Sequence, residues 1–148
     1  MIRIIEGDIL QAQQDIIGHQ VNCKGVMGAG LAKQIKMNYP TVFEEYKQLC
    51  KEQGMNLLGT VQYVKTSKGK IIANIFGQAN YGRGKRQTDY EALEEAFFSL
   101  RNKANETDRS IALPYGIGCG LAGGDWDIVY RIIEKVFIGS KLHLYRFN

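Results

Sequence analysis

The chain has 148 residues, 45% apolar and 23% charged, which suits one ordinary folded domain able to bury a core without disulfides or metal. No apolar run reaches the ~18 residues of a membrane span, and Arg3, Glu6 and Asp8 interrupt any apolar signal core at the N-terminus. A net charge of +4 is too mild and dispersed to argue for nucleic-acid binding, though it would draw in a phosphorylated ligand.

Ile2–Ile5 reads as a short strand, followed by a turn at Gly7-Asp8. Asp15–Asn22, with Ile16-Ile17 and then Val21, reads as a second, buried strand. A helix is expected from Gly30 to about Met37, and a second from about Thr41 to Gln53. Thr41 suits an N-cap with Glu44 as its capping-box partner, Pro40 separates the helices and Gly54 closes the second. Gly59–Val64 and Lys70–Ile75 read as strands joined by a hairpin turn at Ser67-Lys68-Gly69. Thr88–Glu91 opens the clearest helix, where Leu93, Ala96, Phe97 and Leu100 recur at helical spacing. Ser110–Pro114 is a strand, Trp126–Phe137 the last helix and Leu142–Phe147 the last strand. With no linker or repeat, residues 1–148 are taken as a single domain. Interleaved strands and helices predict an α/β fold, a three-layer α/β/α sandwich whose hairpin makes the sheet mixed.

Glycine is the informative composition. Of 17 glycines, eight lie within residues 25–30 and 116–124. Each cluster leaves a predicted strand and enters a helix, where ligands sit in such folds. Free N–H groups and the positive end of a helix dipole make each a phosphate cradle, and two facing cradles suit a diphosphate. Ordinary turns are the alternative for either cluster alone. Gly118, Gly120 and Gly123 also match the spacing of a dinucleotide fingerprint. That reading fails because only about 25 residues follow and Leu142–Phe147 offers no acidic residue for a ribose.

Three ordered motifs carry a resemblance. Gly7-Asp8-Ile9, then Asn22 with Met27-Gly28-Ala29-Gly30-Leu31-Ala32, then Pro114-Tyr115-Gly116-Ile117-Gly118-Cys119-Gly120-Leu121 resemble a macrodomain. The branch most similar holds the terminal ADP-ribose protein glycohydrolase and its antitoxin relatives, and the likeness spans essentially the whole chain. It implies a domain that binds ADP-ribose or a derivative. Two roles follow: a reader, or a hydrolase acting on an ADP-ribosylated molecule or on ADP-ribose 1″-phosphate. Binding of RNA or other polyphosphates through the Arg83–Arg86 loop ranks below both.

The resemblance also assigns residues. Asp8 and the backbone of Ile9 match the adenine contacts, and Tyr145 a place where some macrodomains present a ring to adenine. Asn22 and Gly28–Leu31 (Gly28, Ala29, Gly30, Leu31) match the segment around the distal ribose. Ile117, Gly118, Cys119, Gly120 and Leu121 match the diphosphate loop. Asn22 and Asp125 are the catalytic candidates, as residues able to position a water.

Each position has a plainer reading. Asp8 suits a turn, Asn22 a loop cap, Tyr145 an outward position on an edge strand and Asp125 a helix N-cap. Met27 and Trp126 read as packing residues, Arg83, Lys85 and Arg86 as a solvated charge run. Cys119 has no neighbouring histidine in sequence, which argues against a cysteine nucleophile.

Two departures separate the chain from that glycohydrolase branch. Gly77 or Gln78 stands where those enzymes carry a nucleophilic lysine, and an amide cannot form a Schiff base. Ala122 stands where they carry aspartate, with Asp125 three residues further on. No cofactor or metal is expected, since only His19 and His143 are present and the cysteines fit no zinc pattern. The expected partner is ADP-ribose or an ADP-ribosylated molecule, nucleic acid entering only as a modified substrate. The expected setting is cytosolic, because Cys23, Cys50 and Cys119 fit no disulfide framework, and the chain is expected to be a monomer.

Overall fold

A computed structural model describes residues 1–147. The chain order is β1 (Ile2–Glu6), β2 (Ile16–Val21), α1 (Gly30–Asn38), α2 (Pro40–Gln53), β3 (Val61–Lys65), β4 (Ile71–Phe76), α3 (Tyr90–Thr107), β5 (Ile111–Pro114), α4 (Trp126–Val136) and β6 (Leu142–Arg146). The six strands form one sheet in the order β1-β6-β5-β2-β4-β3. Every neighbouring pair is parallel except the β3–β4 hairpin, so the sheet is mixed.

Burial follows position in the sheet. β2 and β4, covered on both faces, are buried almost throughout, whereas the edge strand β1 keeps Arg3 and Ile4 exposed. Successive residues of a strand point to opposite faces. Ile16, Ala73 and Ile75 pack against Leu93, Phe97 and Leu100 of α3 and Val129 and Ile133 of α4. On the other face Ile17 and Ile72 meet Ile35 of α1 and Val42 of α2, while Val21 and Phe76 meet Tyr46 and Cys50 of α2. Helices on both faces make the three layers. Among the described residues no helix is long and apolar enough to cross a membrane.

The polar middle of β2 needs a separate explanation in so buried a strand. A Cβ at Gly18 would stand 2.6 Å from Leu113 Cδ2 of the neighbouring β5, so a larger residue would force that side chain to shift. His19 Nε2 is 2.6 Å from Asn74 Oδ1, and Asn74 Nδ2 donates in turn to Gln62 Oε1 at 3.0 Å. Because His19 pairs with Asn74 and Asn74 with Gln62 in register, this is a polar row across three strands. Burial keeps His19 neutral, with a pKa lowered to about 4 against the opposing pull of the Asn74 bond.

One helix boundary differs from expectation. α2 begins at Pro40, after Tyr39, with no side-chain cap bond. Proline has no N–H to satisfy and its fixed φ suits the first helical position. Thr41 therefore lies inside the first turn, and it forms no capping box with Glu44. Gly54 does close α2, with a left-handed φ of 49°.

Candidate functional site

β2 leads to α1 on one face of the sheet, and its neighbour β5 leads to α4 on the other. Such a divergence opens a crevice at the carboxyl ends of the strands. A cavity of about 550 Å³ lies there, lined by the end of β2 and the residue after it (19–22), the segment leading into α1 and its first turn (26 and 28–32), residues after β4 (78 and 81–83) and the loop after β5. Its size is that of a small-molecule site.

Both glycine loops line it. The N–H groups of Gly28, Ala29, Gly30, Leu31 and Ala32 make no hydrogen bond among the described residues, and each of these residues lines the cavity. The same holds for Gly116, Gly118, Gly120, Leu121 and Ala122. Unbonded N–H groups from two loops around one space form an anion-binding surface.

The second loop is braced from behind. Thr88 Oγ1 donates to the Gly118 carbonyl at 2.6 Å, and Gly124 N–H donates to the same oxygen at 2.9 Å. Gln20 Nε2 donates to Thr88 Oγ1 at 2.9 Å and to Gln78 Oε1 at 2.8 Å. Gly118 itself has φ of 78°, and a Cβ there would come within 2.9 Å of Gln20 Oε1.

Asn22 organises the first loop. Its Nδ2 donates to the Val26 carbonyl at 2.8 Å, while Oδ1 accepts from Lys24 N–H at 3.0 Å and from the Tyr46 hydroxyl at 2.8 Å. It is buried, lines the cavity and keeps one Nδ2 hydrogen uncommitted. Gly28, Ala29, Gly30, Leu31, Ile117, Gly118, Gly120 and Leu121 line the cavity as well.

Asp8, Ile9, Cys119, Asp125 and Tyr145 lie outside that lining. Asp8 caps a 3-10 turn, Ile9–Gln11, by accepting from Leu10 N–H at 2.9 Å. Ile9, Leu31 and Tyr145 pack in one apolar cluster, so this corner adjoins the cavity through Leu31. The Tyr145 hydroxyl donates to Gln14 Oε1 at 2.6 Å. Asp125 caps α4, accepting from Asp127 N–H at 2.9 Å. Burial and the nearby Asp125 charge push the Cys119 thiol up to about 11, which keeps it protonated.

Sequence reasoning passed over His19, Gln20 and Tyr81, which also line the cavity, as does Arg83, for which a solvated charge run was the plainer reading. Two polar residues inside a strand otherwise read as buried were the available signal for the first pair. Nothing local marked Tyr81 as a wall residue. Among the described residues the lining contains neither a lysine nor a carboxylate. At Gly77 a Cβ would lie 2.5 Å from Gln20 Oε1 and 2.9 Å from Leu93 Cδ1, so a side chain there would force those two side-chain ends to shift.

The family profile of the Macro domain matches residues 19–133, which include the end of β2, both glycine loops and most of α4. The chain belongs to the Macro domain family. This macrodomain is 32% identical over 141 residues to a DNA ADP-ribosyl glycohydrolase of Mycobacterium tuberculosis, covering 93% of this chain but only 39% of that protein. It is 33% identical over 164 residues to the ADP-ribose 1″-phosphate phosphatase of Candida glabrata, covering 90% of this chain and 92% of that one. Among solved structures it resembles the macrodomain of Mycobacterium tuberculosis DarG, with a TM-score of 0.86 and 28% identity over 98% of this chain and 97% of that one.

Proposed function

We propose that residues 1–148 act as one domain that binds ADP-ribose, free or attached to another molecule. The observation that carries this reading is the set of unbonded N–H groups that two glycine loops bring to one cavity. A diphosphate placed there meets Ile117–Leu121 on one side and the start of α1 on the other. The distal ribose then falls to Asn22 and Gly28–Leu31, and adenine to the corner of Asp8, Ile9 and Tyr145. The names of the relatives, a glycohydrolase and a phosphatase of ADP-ribose compounds, support this ligand class. Cysteines that fit no disulfide framework support a cytosolic protein, and we take it as a monomer.

Binding is the primary role because the lining holds no lysine to form an imine and no carboxylate to act as a base. A second reading, slow hydrolysis by a positioned water, is favoured by the uncommitted Asn22 Nδ2 hydrogen and by N–H groups able to stabilise developing charge. In that reading Asp125 would have to act from its capping position.

Incubation with ADP-ribosylated protein, ADP-ribosylated DNA and ADP-ribose 1″-phosphate, followed by borohydride, separates the readings. Binding without turnover identifies a reader. Turnover without an adduct, lost in Asn22→Ala or Asp125→Ala, identifies the water route. A borohydride-trapped adduct would overturn both by revealing a reactive lysine.

A further inference from the structure

Thr88 holds both feet of the second glycine loop. Its N–H and that of Gln87 donate to the Ala122 carbonyl, at 3.2 and 2.7 Å. Its hydroxyl donates to the Gly118 carbonyl at 2.6 Å. Between these pins the N–H groups of Gly120 and Leu121 make no hydrogen bond among the described residues, and both residues line the cavity. Gly118, with φ of 78° and no side chain, leaves its peptide plane free to rotate unless its carbonyl is held.

The direction of every bond behind Thr88 is forced. A carbonyl only accepts, so the Thr88 proton goes to Gly118 and the hydroxyl can take a further bond only through its lone pairs. Gln78 Nε2 donates to the Asn80 carbonyl at 2.7 Å, and its acceptor Oε1 turns toward Gln20. Both neighbours therefore require donors. Gln20 Nε2 supplies its two hydrogens, at 2.9 Å to Thr88 and 2.8 Å to Gln78. Its Oε1 is left buried with no hydrogen-bond partner among the described residues. That oxygen lies where a Cβ would meet it, 2.5 Å from one on Gly77 and 2.9 Å from one on Gly118. An unmet buried acceptor destabilises a fold, so the amide is oriented by what its nitrogen must hold. With both hydrogens committed and the oxygen buried, Gln20 has no polar atom to offer a ligand, although the residue lines the cavity.

We propose that Gln20 is a positioning residue for the diphosphate. It sets the Thr88 hydroxyl, which holds the Gly118 peptide and so presents the N–H groups of the loop as one anion-binding array. The proposal rests on the ADP-ribose reading and names what organises that site. Because Gln20 acts from behind the loop, its loss weakens binding of phosphate and leaves the nucleoside alone.

The test titrates folded variants with ADP-ribose, inorganic pyrophosphate and adenosine. Gln20→Met keeps the length and removes both donors, Thr88→Val removes the hydroxyl and Thr88→Ser restores it. Gln20→Met and Thr88→Val are each expected to lower affinity for ADP-ribose and pyrophosphate about fivefold or more. Adenosine should bind as before, and Thr88→Ser should keep the wild-type values. Since the two residues act in one path, the double variant Gln20→Met, Thr88→Val should lose no more than the weaker single one. Unchanged ADP-ribose affinity in Gln20→Met, an equal loss with adenosine, or additive losses in the double variant overturn the proposal. Should Gln20→Met fail to fold, equal affinities in Thr88→Val and Thr88→Ser overturn it. Failure of the wild type to bind ADP-ribose would instead strike the underlying reading, and this proposal with it.

Discussion

Acidification forces a proton onto His19, and the structure gives the scale of the penalty. The imidazole is 2% exposed, and burial lowers its pKa from 6.5 to about 4. In the unfolded chain it takes up its proton near 6.5, so between the two values the unfolded state binds more protons. Stability therefore holds above pH 6.5 and is lost as pH falls toward 4. The gap, at about 1.4 kcal/mol per pH unit, comes to about 3 kcal/mol. Urea unfolding at about pH 7 and about pH 4.5 should show this loss in the wild type but not in His19→Gln, which keeps a donor for Asn74. Asp15, whose carboxyl is held low by the Ser110 backbone bond, titrates in both proteins and cancels from the comparison. Parallel losses in the two proteins would refute the argument. Should His19→Gln fail to fold, the imidazole titration followed by NMR in the wild type decides the same point.

Tyr46→Phe removes the hydroxyl shared by the Asn22 carbonyl and Oδ1, at 2.7 and 2.8 Å. The expected cost is about 1–3 kcal/mol in thermal unfolding, with weaker ADP-ribose binding as the first loop loosens; wild-type stability would contradict it. Asp8→Ala should lower ADP-ribose affinity about ten- to a hundredfold and, through the lost cap, stability by about 1 kcal/mol. Unchanged affinity in calorimetry would remove Asp8 from the adenine site. Gly77→Lys should destabilise by about 1–3 kcal/mol through overpacking against Gln20 and Leu93, and should yield no imine on borohydride treatment. A trapped adduct in that variant would show that the position can present a lysine after all.

Local patterns made much of the fold legible. The period of Leu93, Ala96, Phe97 and Leu100 located α3, and Ser67-Lys68-Gly69 located the hairpin that makes the sheet mixed. Both glycine clusters proved to be strand-to-helix loops on one cavity, because tight turns and open N–H groups are written in adjacent residues. Features that depend on distant partners were not legible. His19 finds Asn74 at a separation of 55 residues, and Gln20 finds Gln78 and Thr88 at 58 and 68, so nothing local explains why β2 tolerates them. The insertion of β6 between β1 and β5 is equally non-local. At Thr41 two local signals competed, and the fixed φ of Pro40 prevailed over a capping hydroxyl. Asn22 and Asp125 show the limit at the site: their residue types suit caps and catalysis alike, and each makes capping or loop-closing bonds.

Calorimetric titration with ADP-ribose and with AMP, on the wild type and on Gly120→Glu, tests the central claim most directly. Gly120 is exposed, lines the cavity and has open space around it, so a glutamate can be accommodated by the fold while placing a carboxylate beside the phosphates. One-site binding of ADP-ribose to the wild type, much weaker binding of AMP, and no binding to a folded Gly120→Glu are expected. Absence of heat and of thermal stabilisation in the wild type at millimolar ADP-ribose, or unchanged affinity in the folded variant, would contradict the claim.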